Sequence, residues 1–214
     1  MDAGSSGSLP TAMSLRSRKL SPEVLARRID PAKAAALHAA IADSDVAKVS
    51  AQLEAGASSG ARNTAGWPAL YAAAVYGSPS IVALLLEAGA DIEGLGSTDE
   101  LVDRERFSGT ATALMGALRA GHEDVALLLL ERGARVAHVD GSSGVDALFL
   151  AAEQGLERAV EHILRRGSVQ QAKLWGEKSA LDVAVERRHV GIVRRLLDAG
   201  FLPTPAAARL LADP

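Results

Sequence analysis

Five glycines recur along the chain, and each one closes a leucine-rich run of similar sequence. The runs are LEAGA, LLLEAGAD, LLLLERGAR, ILRRGS and LLDAGF, and their glycines are Gly56, Gly89, Gly133, Gly167 and Gly200. The steps between successive glycines are 33, 44, 34 and 33 residues. A segment that recurs at such a period is one structural unit, which buries its apolar face by stacking on its neighbours. The chain is therefore predicted to fold as an array of repeats.

Two more columns of residues keep the same register. A leucine opens each unit, and the five leucines are Leu37, Leu70, Leu114, Leu148 and Leu181. An alanine lies three residues after each leucine, at Ala40, Ala73, Ala117, Ala151 and Ala184. A small residue at one fixed place indicates that two helix backbones approach closely there. Chance does not produce three columns in one register.

Each unit is predicted to contain two short helices. In the second unit, residues 69–76 are predicted to form a first helix that ends at Gly77. Ser78 is the predicted N-cap, with its hydroxyl accepting from a first-turn amide, and Pro79 suits the first helical position. Gly89 is predicted to end the second helix in the left-handed conformation. Helices this short are stable only when they stack on neighbours.

The segments LYAAAVYGSPSIVALLLEAGADIE and TALMGALRAGHEDVALLLLERGARV resemble the ankyrin repeat, and the resemblance extends over residues 35–201. It implies an all-α fold, an ankyrin-repeat solenoid of stacked helix-turn-helix units with short β-hairpin or loop fingers. The family's histidine after the first leucine remains only as His38, which weakens the expectation of side-chain hydrogen bonds between repeats. One domain over residues 21–214 is expected, with units near 35–57, 66–93, 110–137, 144–168 and 177–201.

The two ends of the array are predicted to be capped. Residues 1–20 are small, polar and weakly basic, so we expect a disordered tail, followed by a short capping helix at residues 22–29. Lys48 and Gln52 stand where inner units carry apolar residues, which is typical of an N-terminal cap. Residues 204–212 are predicted to form a C-terminal capping helix, which would close the array.

The resemblance also implies where a partner would bind. The concave face of an ankyrin array is formed by residues beside the turn glycine and by the last residues of each first helix. Here those positions change from apolar and aromatic to cationic along the array, at Trp67, Val75, Tyr76, Arg119, Glu153, Gln154, Trp175, Lys178, Arg187 and Arg188. Trp, Tyr and Arg are frequent at the centres of protein interfaces.

These positions also have a purely structural interpretation. Val75 and Tyr76 could pack under a neighbouring loop, and Trp175 could brace its own turn. Arg187 and Arg188 could form a solvated basic helix end, since single exposed charges are common at protein surfaces.

The step of 44 residues indicates an insertion of about eleven residues within 94–108. Two interpretations remain open, a partner-specific finger that reaches over the groove and a tolerated surface loop. The spacing of its acidic residues fits no known calcium loop. Its candidate contact residues are Asp99, Glu100, Asp103, Arg104, Arg106 and Phe107.

No sequence pattern for catalysis is present. The chain lacks a P-loop, a dinucleotide fingerprint, HExxH and GxSxG, and its five histidines are scattered. We therefore predict no enzyme activity, no cofactor and no metal site.

Composition narrows the class of partner. The formal net charge of −3 argues against nonspecific nucleic-acid binding, and apolar runs such as residues 125–130 are too short to span a membrane.

The absence of cysteine mildly favours a reducing compartment, so a cytoplasmic location is expected. The alanine- and arginine-rich composition hints at a bacterial source.

The predicted function is that of a monomeric adaptor, inhibitor or regulator that binds another protein or peptide on its concave face. The alternatives are a structural scaffold that self-associates through Trp67 and Trp175, and a secreted effector that targets a host protein.

Overall fold

The computed structural model describes residues 30–97, 110–139, 144–166 and 178–212. The predicted tail and capping helix before residue 30, most of the predicted insertion, Gly167 and Trp175 lie outside these described residues.

Within the described ranges the chain forms eleven helices and one pair of two-residue strands. The helices are α1 (Pro31–Ala42), α2 (Val46–Glu54), α3 (Ala69–Tyr76), α4 (Pro79–Glu87), α5 (Ala113–Arg119), α6 (Glu123–Glu131), α7 (Ala147–Gln154), α8 (Glu157–Arg165), α9 (Ala180–Glu186), α10 (Val190–Asp198) and α11 (Pro205–Ala212). The strands are β1 (Gly96–Ser97) and β2 (Thr110–Ala111).

The helices stack in two layers. The inner layer consists of α1, α3, α5, α7 and α9, and each of these helices packs on the next. The outer layer consists of α2, α4, α6, α8 and α10, and it stacks in the same order. Each inner helix also packs on the outer helix that follows it in the chain. This is the predicted all-α solenoid of helix-turn-helix units.

The sequence columns form the contact surfaces between these layers. The five unit-opening leucines and the five alanines that follow them are all buried. The side chains of α3 from Ala69 to Ala74 are all buried, because this helix lies between α1, α5 and α4. Alanine suits these positions because a larger side chain would push neighbouring helices apart. The thin inner layer thus follows directly from the alanine column.

The turns of the second unit agree with the predictions except at one residue. Helix α3 ends at Gly77 with a φ of 76°, and Gly89 follows α4 with a φ of 80°, as predicted. Ser78 occupies the N-cap position, but its side chain makes no capping hydrogen bond, so that part of the prediction was wrong. The start of α4 is instead fixed by Pro79 at its first turn and by the Ser78 carbonyl, which accepts from Val82 N at 3.0 Å.

Short hairpin contacts lie between the helical pairs. Strands β1 and β2 pair antiparallel, and Arg62 and Pro68 form an isolated bridge in the finger of the second unit. Arg62 Nη1 donates to the carbonyls of Gly66 at 2.6 Å and Leu95 at 2.8 Å, so it ties two successive fingers together. Because β1 lies at the start of the range predicted for the insertion and β2 follows its end, the two ends of the insertion are held side by side on the array.

Candidate functional site

Inner helices α3, α5, α7 and α9 expose side chains only near their C-terminal ends. In α3, Val75 is half-buried and Tyr76 is 47% exposed, whereas all residues before them are buried. The same pattern recurs in α5 and α7, where Arg119 and Glu153 are half-buried and Gln154 is exposed. Neighbouring elements cover the last turn only in part, although Val75 still packs against the core. These helix ends form a row along the array.

Trp67 does not belong to this exposed row. Its side chain is only 4% exposed, and its ring packs edge-on against Tyr71 with ring centroids 5.1 Å apart. The backbone N–H of Trp67 donates to Asn63 Oδ1 at 2.9 Å, which turns the chain so that the indole lies beneath the finger. The prediction that Trp67 is a surface residue was therefore wrong. Self-association through this indole loses its structural basis, since burial removes the indole from contact with another chain.

The cationic end of the row is partly neutralised by nearby carboxylates. Arg187 Nη2 donates to Glu153 Oε1 of the preceding repeat at 3.0 Å. Lys178 Nζ lies 2.8 Å from Glu186 Oε1 at the end of α9. All four side chains keep some exposure, so these ion pairs contribute little to stability and remain accessible to a partner.

Arg188, like Ser44 of the first unit with a φ of 53°, differs from its counterparts in the three middle units. It follows α9 with a φ of 60°, in the left-handed region, where Gly77, Gly121 and Gly155 lie in the corresponding turns. A residue with a Cβ atom costs about 1–2 kcal/mol in this conformation. Its side chain is exposed and makes no ion pair within the described part of the chain. Arg188 therefore presents an uncompensated charge from a strained backbone.

Histidines of the following repeat hold two of these helix ends in place. His122 Nε2 lies 3.0 Å from the Val75 carbonyl, and His189 Nε2 lies 3.2 Å from the Glu153 carbonyl. Since only a ring N–H can bond a carbonyl, each imidazole donates to the last turn of the preceding inner helix. Sequence reasoning missed these bonds, although the position of each histidine, directly after a left-handed turn residue, is visible in AGHED and RRHV.

His38 makes a third bond of this kind in a different place. Its buried Nε2 donates to the Ala61 carbonyl at 3.1 Å, in the finger of the next unit. Burial lowers the pKa of His38 and the bond to the Ala61 carbonyl partly offsets that effect, so the ring stays neutral near neutral pH. Histidine hydrogen bonds between repeats are thus present at three joints.

Several predicted site residues lie outside the described residues. These are Trp175 and the candidate contacts of the insertion, Asp99, Glu100, Asp103, Arg104, Arg106 and Phe107. Of the predicted concave residues that the structure describes, it brings Val75, Tyr76, Arg119, Glu153, Gln154, Arg187 and Arg188 to the ends of inner helices, and it places Lys178 beside α9.

Two kinds of site are not found in the described ranges. No group of three or more histidine or carboxylate side chains there is arranged to hold a metal ion. No helix in the same ranges has the length and apolar character that crossing a bilayer requires.

A stack of helix pairs that buries a leucine column and an alanine column in every unit is a repeat solenoid. Residues 37–140 match the family model described as ankyrin repeats in three copies. The chain belongs to the ankyrin-repeat family, as its sequence predicted.

Three relatives share this similarity. The mouse (Mus musculus) B-cell lymphoma 3 protein homolog is 33% identical over 164 residues, which are 77% of this chain and 35% of that protein. The rice (Oryza sativa subsp. japonica) probable E3 ubiquitin-protein ligase XBOS33 is 41% identical over 44% of this chain and 16% of its own length. The Caenorhabditis elegans ankyrin repeat and KH domain-containing protein mask-1 is 34% identical over 50% of this chain and 4% of its own length.

The chain therefore spans about a third or less of the length of each of these relatives. All three are eukaryotic, so they give no support to the predicted bacterial source.

Proposed function

We propose that this chain is a non-enzymatic protein-interaction module that binds a partner protein through the row of inner-helix ends. One observation carries the proposal: the leucine and alanine columns of the core are uniform from unit to unit, whereas the exposed helix ends are not. The column of Tyr76 continues as Ala120, Gln154 and Arg187, whereas the column of Leu70 is leucine and the column of Ala73 is alanine in every unit. Packing requires the uniform columns and does not require the varied row. Variation at exposed positions is what recognition of one particular surface would need.

The chemistry of the row indicates the class of partner. Tyr76 offers a large exposed ring, and the C-terminal part offers the ion pair of Arg187 with Glu153 and the exposed Arg188. A mixed aromatic and charged surface fits a folded protein or an extended peptide better than a nucleic acid, which would require a continuous basic face. The module acts as a monomer in the cytoplasm and regulates, inhibits or recruits its partner without cofactor or metal. The proposed role is stated broadly because the names of the three relatives do not indicate one common partner.

Arg188 supports the proposal independently. A glycine would relieve its left-handed backbone, so its retention at an exposed position costs stability. We infer that contact with the partner compensates for this cost. Arg188→Gly should raise the free energy of unfolding by about 1 kcal/mol and weaken partner binding about tenfold. Equal binding by the glycine variant would show that Arg188 is only a tolerated turn residue.

Site-specific photo-crosslinking tests the concave assignment. A photoreactive phenylalanine analogue at Tyr76 or Gln154 should crosslink to one partner protein in cells. The matched control places the same group at Glu87, an exposed residue at the end of outer helix α4. The identified partner, purified, should then bind Tyr76→Ala at least about tenfold more weakly than the unchanged chain. Crosslinking from Glu87 alone, or unchanged affinity of Tyr76→Ala, would contradict the proposal.

A further inference from the structure

The row of inner-helix ends offers different chemistry at its two ends. In the second unit Tyr76 is 47% exposed. The neighbouring Val75 is held against α5, where a Cβ atom built on Gly116 would lie 3.1 Å from Val75 Cγ2. In the fifth unit the row ends on Arg187 and Arg188, and both side chains are exposed. The row therefore has an apolar anchor at one end and a cationic anchor at the other.

The cationic end keeps one positive charge without a counterion. The carboxylate of Glu153 pairs with Arg187 at 3.0 Å, and that of Glu186 pairs with Lys178 at 2.8 Å. No carboxylate of the described residues forms an ion pair with Arg188. A ligand that complements this end of the row therefore carries negative charge.

Stacking fixes the distance between the two anchors. Three steps between adjacent inner helices, from α3 to α5, α7 and α9, separate the second unit from the fifth. Packed helices lie about 8–10 Å apart, so the anchors are about 24–30 Å apart. The first joint is fastened by His122 on the Val75 carbonyl at 3.0 Å, and the last by Arg187 on Glu153. An extended chain rises about 3.3 Å per residue, so about seven to nine residues cover this distance.

The middle of the row favours an extended segment over a helix. Between the anchors lie Ala120 and Gln154, with Arg119 and Glu153 half-buried beside them. A partner helix would need an apolar stripe opposite these positions, and they supply no matching apolar surface. The Gln154 side chain is exposed and makes no hydrogen bond with the described residues. Its amide has both a donor and an acceptor, which suit the backbone of an extended segment.

We infer that the partner presents an extended segment to this row, with an aromatic or aliphatic residue on Tyr76 and a carboxylate on Arg188, about seven to nine residues apart. Charge complementarity and the fixed spacing carry the inference. It rests on the proposed function, since it gives the chemistry of the partner at the same site.

Three other segments of the chain match this row less well. Residues 1–30 contain five lysine and arginine residues against three acidic ones, so Arg188 would repel them. Residues 167–177 carry one lysine and one glutamate, so they offer no net negative charge. Residues 98–109 are acidic, but β1 and β2 hold their two ends side by side. A loop of that length reaches out and back over at most about 20 Å, which is less than the distance between the anchors.

Selection from a random peptide library tests the inference. Peptides of about sixteen residues, about twice the required span, are displayed on phage and selected on the full chain. The enriched sequences should share an aromatic or aliphatic residue and an Asp or Glu about seven to nine residues apart. Selection on Arg188→Glu should place Lys or Arg at the acidic position.

Arg132→Glu is the matched control for this change of charge. Arg132 follows outer helix α6, is exposed and forms no ion pair with the described residues. Selection on this variant should keep the acidic preference, because Arg132 lies in the outer layer and not on the row.

The affinity of one enriched peptide, measured by fluorescence anisotropy, gives a second test. Arg188→Glu should weaken binding at least about tenfold, and the same peptide with its acid changed to Lys should recover it. Tyr76→Ala should weaken binding about tenfold, and so should removal of about three residues between the two anchors of the peptide. Both variants should keep the helical circular dichroism of the unchanged chain, because both side chains are exposed.

Several results would overturn the inference. They are enriched sequences without a shared acid or without a fixed spacing, an acidic preference that survives Arg188→Glu, and no enrichment at all. Peptides that bind only after residues 99–107 are replaced by a glycine-serine linker would mean that the chain's own insertion occupies the row. That result would overturn the assignment to a partner.

Failure of the inference is distinct from failure of the proposed function. A partner that crosslinks at Tyr76 through a folded surface, with no such segment, contradicts the inference and leaves the proposed function standing. Enrichment as expected, with no protein crosslinked at Tyr76 or Gln154 in cells, supports the chemistry of the row and contradicts its use by a cellular partner.

Discussion

The joint between the second and third repeats and the joint between the third and fourth have the same backbone arrangement but different side-chain bonds. At the first, His122 packs on Gly77, and a Cβ atom at Gly77 would lie 2.5 Å from the imidazole. At the second, Leu156 takes the place of the histidine, and nothing lies within 4 Å of a Cβ built on Gly121. The stacking geometry therefore does not depend on one conserved set of bonds. It depends on the buried columns, which both joints share.

The joint without histidine uses charged groups at the ends of outer helices. Glu123 Oε1 accepts from the backbone N–H groups of Arg158 at 2.8 Å and Ala159 at 3.2 Å, at the start of α8. The Arg166 guanidinium donates to the carbonyls of Ala134 at 3.0 Å and Leu130, at the end of α6. Both contacts satisfy helix-end groups that have no partner within their own helix.

Substitution of the two turn glycines gives the largest expected difference between the joints. Gly77→Ala adds both left-handed strain and a clash with His122, and should lower the free energy of unfolding by about 3 kcal/mol. Gly121→Ala adds the backbone strain alone and should cost about 1 kcal/mol. Urea unfolding followed by circular dichroism measures both. Equal costs would mean that the histidine moves aside freely.

A double variant identifies the cause. If the clash with the imidazole is responsible, Gly77→Ala should cost much less in a His122→Ala background than in the unchanged chain. Strictly additive costs would place the whole effect in the backbone.

The sequence predicted the stacking geometry well because packing repeats. Every unit must bury a leucine and an alanine at the same place. The recurrence of residues such as Ala117 therefore indicates the fold even when the residues that they contact are not known. The bonds of each joint do not repeat in this way. Glu123 and Arg166 act across a joint on backbone groups more than thirty residues away, and no short motif records such pairs.

The candidate site was predictable only in part, and Trp67 shows why. A position beside a turn is usually exposed, but a large ring can fold back beneath the finger and gain burial against Tyr71. Tyr76, at the end of the helix, has no such neighbour to cover it and stays exposed. Tyr76 and Gln154 at the helix ends are exposed, whereas the exposure of the turn position could not be predicted because it depends on tertiary packing.

The second prediction concerns the cap that Glu123 provides. Glu123→Ala removes the acceptor of two N–H groups at the start of α8, whose own N-cap, Leu156, makes no side-chain bond, and should cost about 1 kcal/mol. Asp124→Ala is the matched control, because its ion pair with Arg158 is largely exposed and should contribute less than about 0.5 kcal/mol. Thermal and urea unfolding measure both costs. An equal loss from the two variants would assign the effect to general charge and not to capping.

The smallest effect is expected at the joint of the first two repeats, where a histidine bond is buried and titrates. Burial lowers the folded-state pKa of His38 below the ordinary value of about 6.5, so the unfolded chain binds this proton first as the pH falls. The contribution of His38 is therefore complete above about pH 6.5 and declines below it, with a slope of at most about 1.4 kcal/mol per pH unit. His38→Gln keeps a donor for the Ala61 carbonyl and cannot titrate. Urea unfolding at several pH values between about 7.5 and 5.5 should show a shallower pH dependence in the variant. An unchanged or steeper dependence would mean that His38 takes up its proton within the folded array, and that this joint is less rigid than its buried bond indicates.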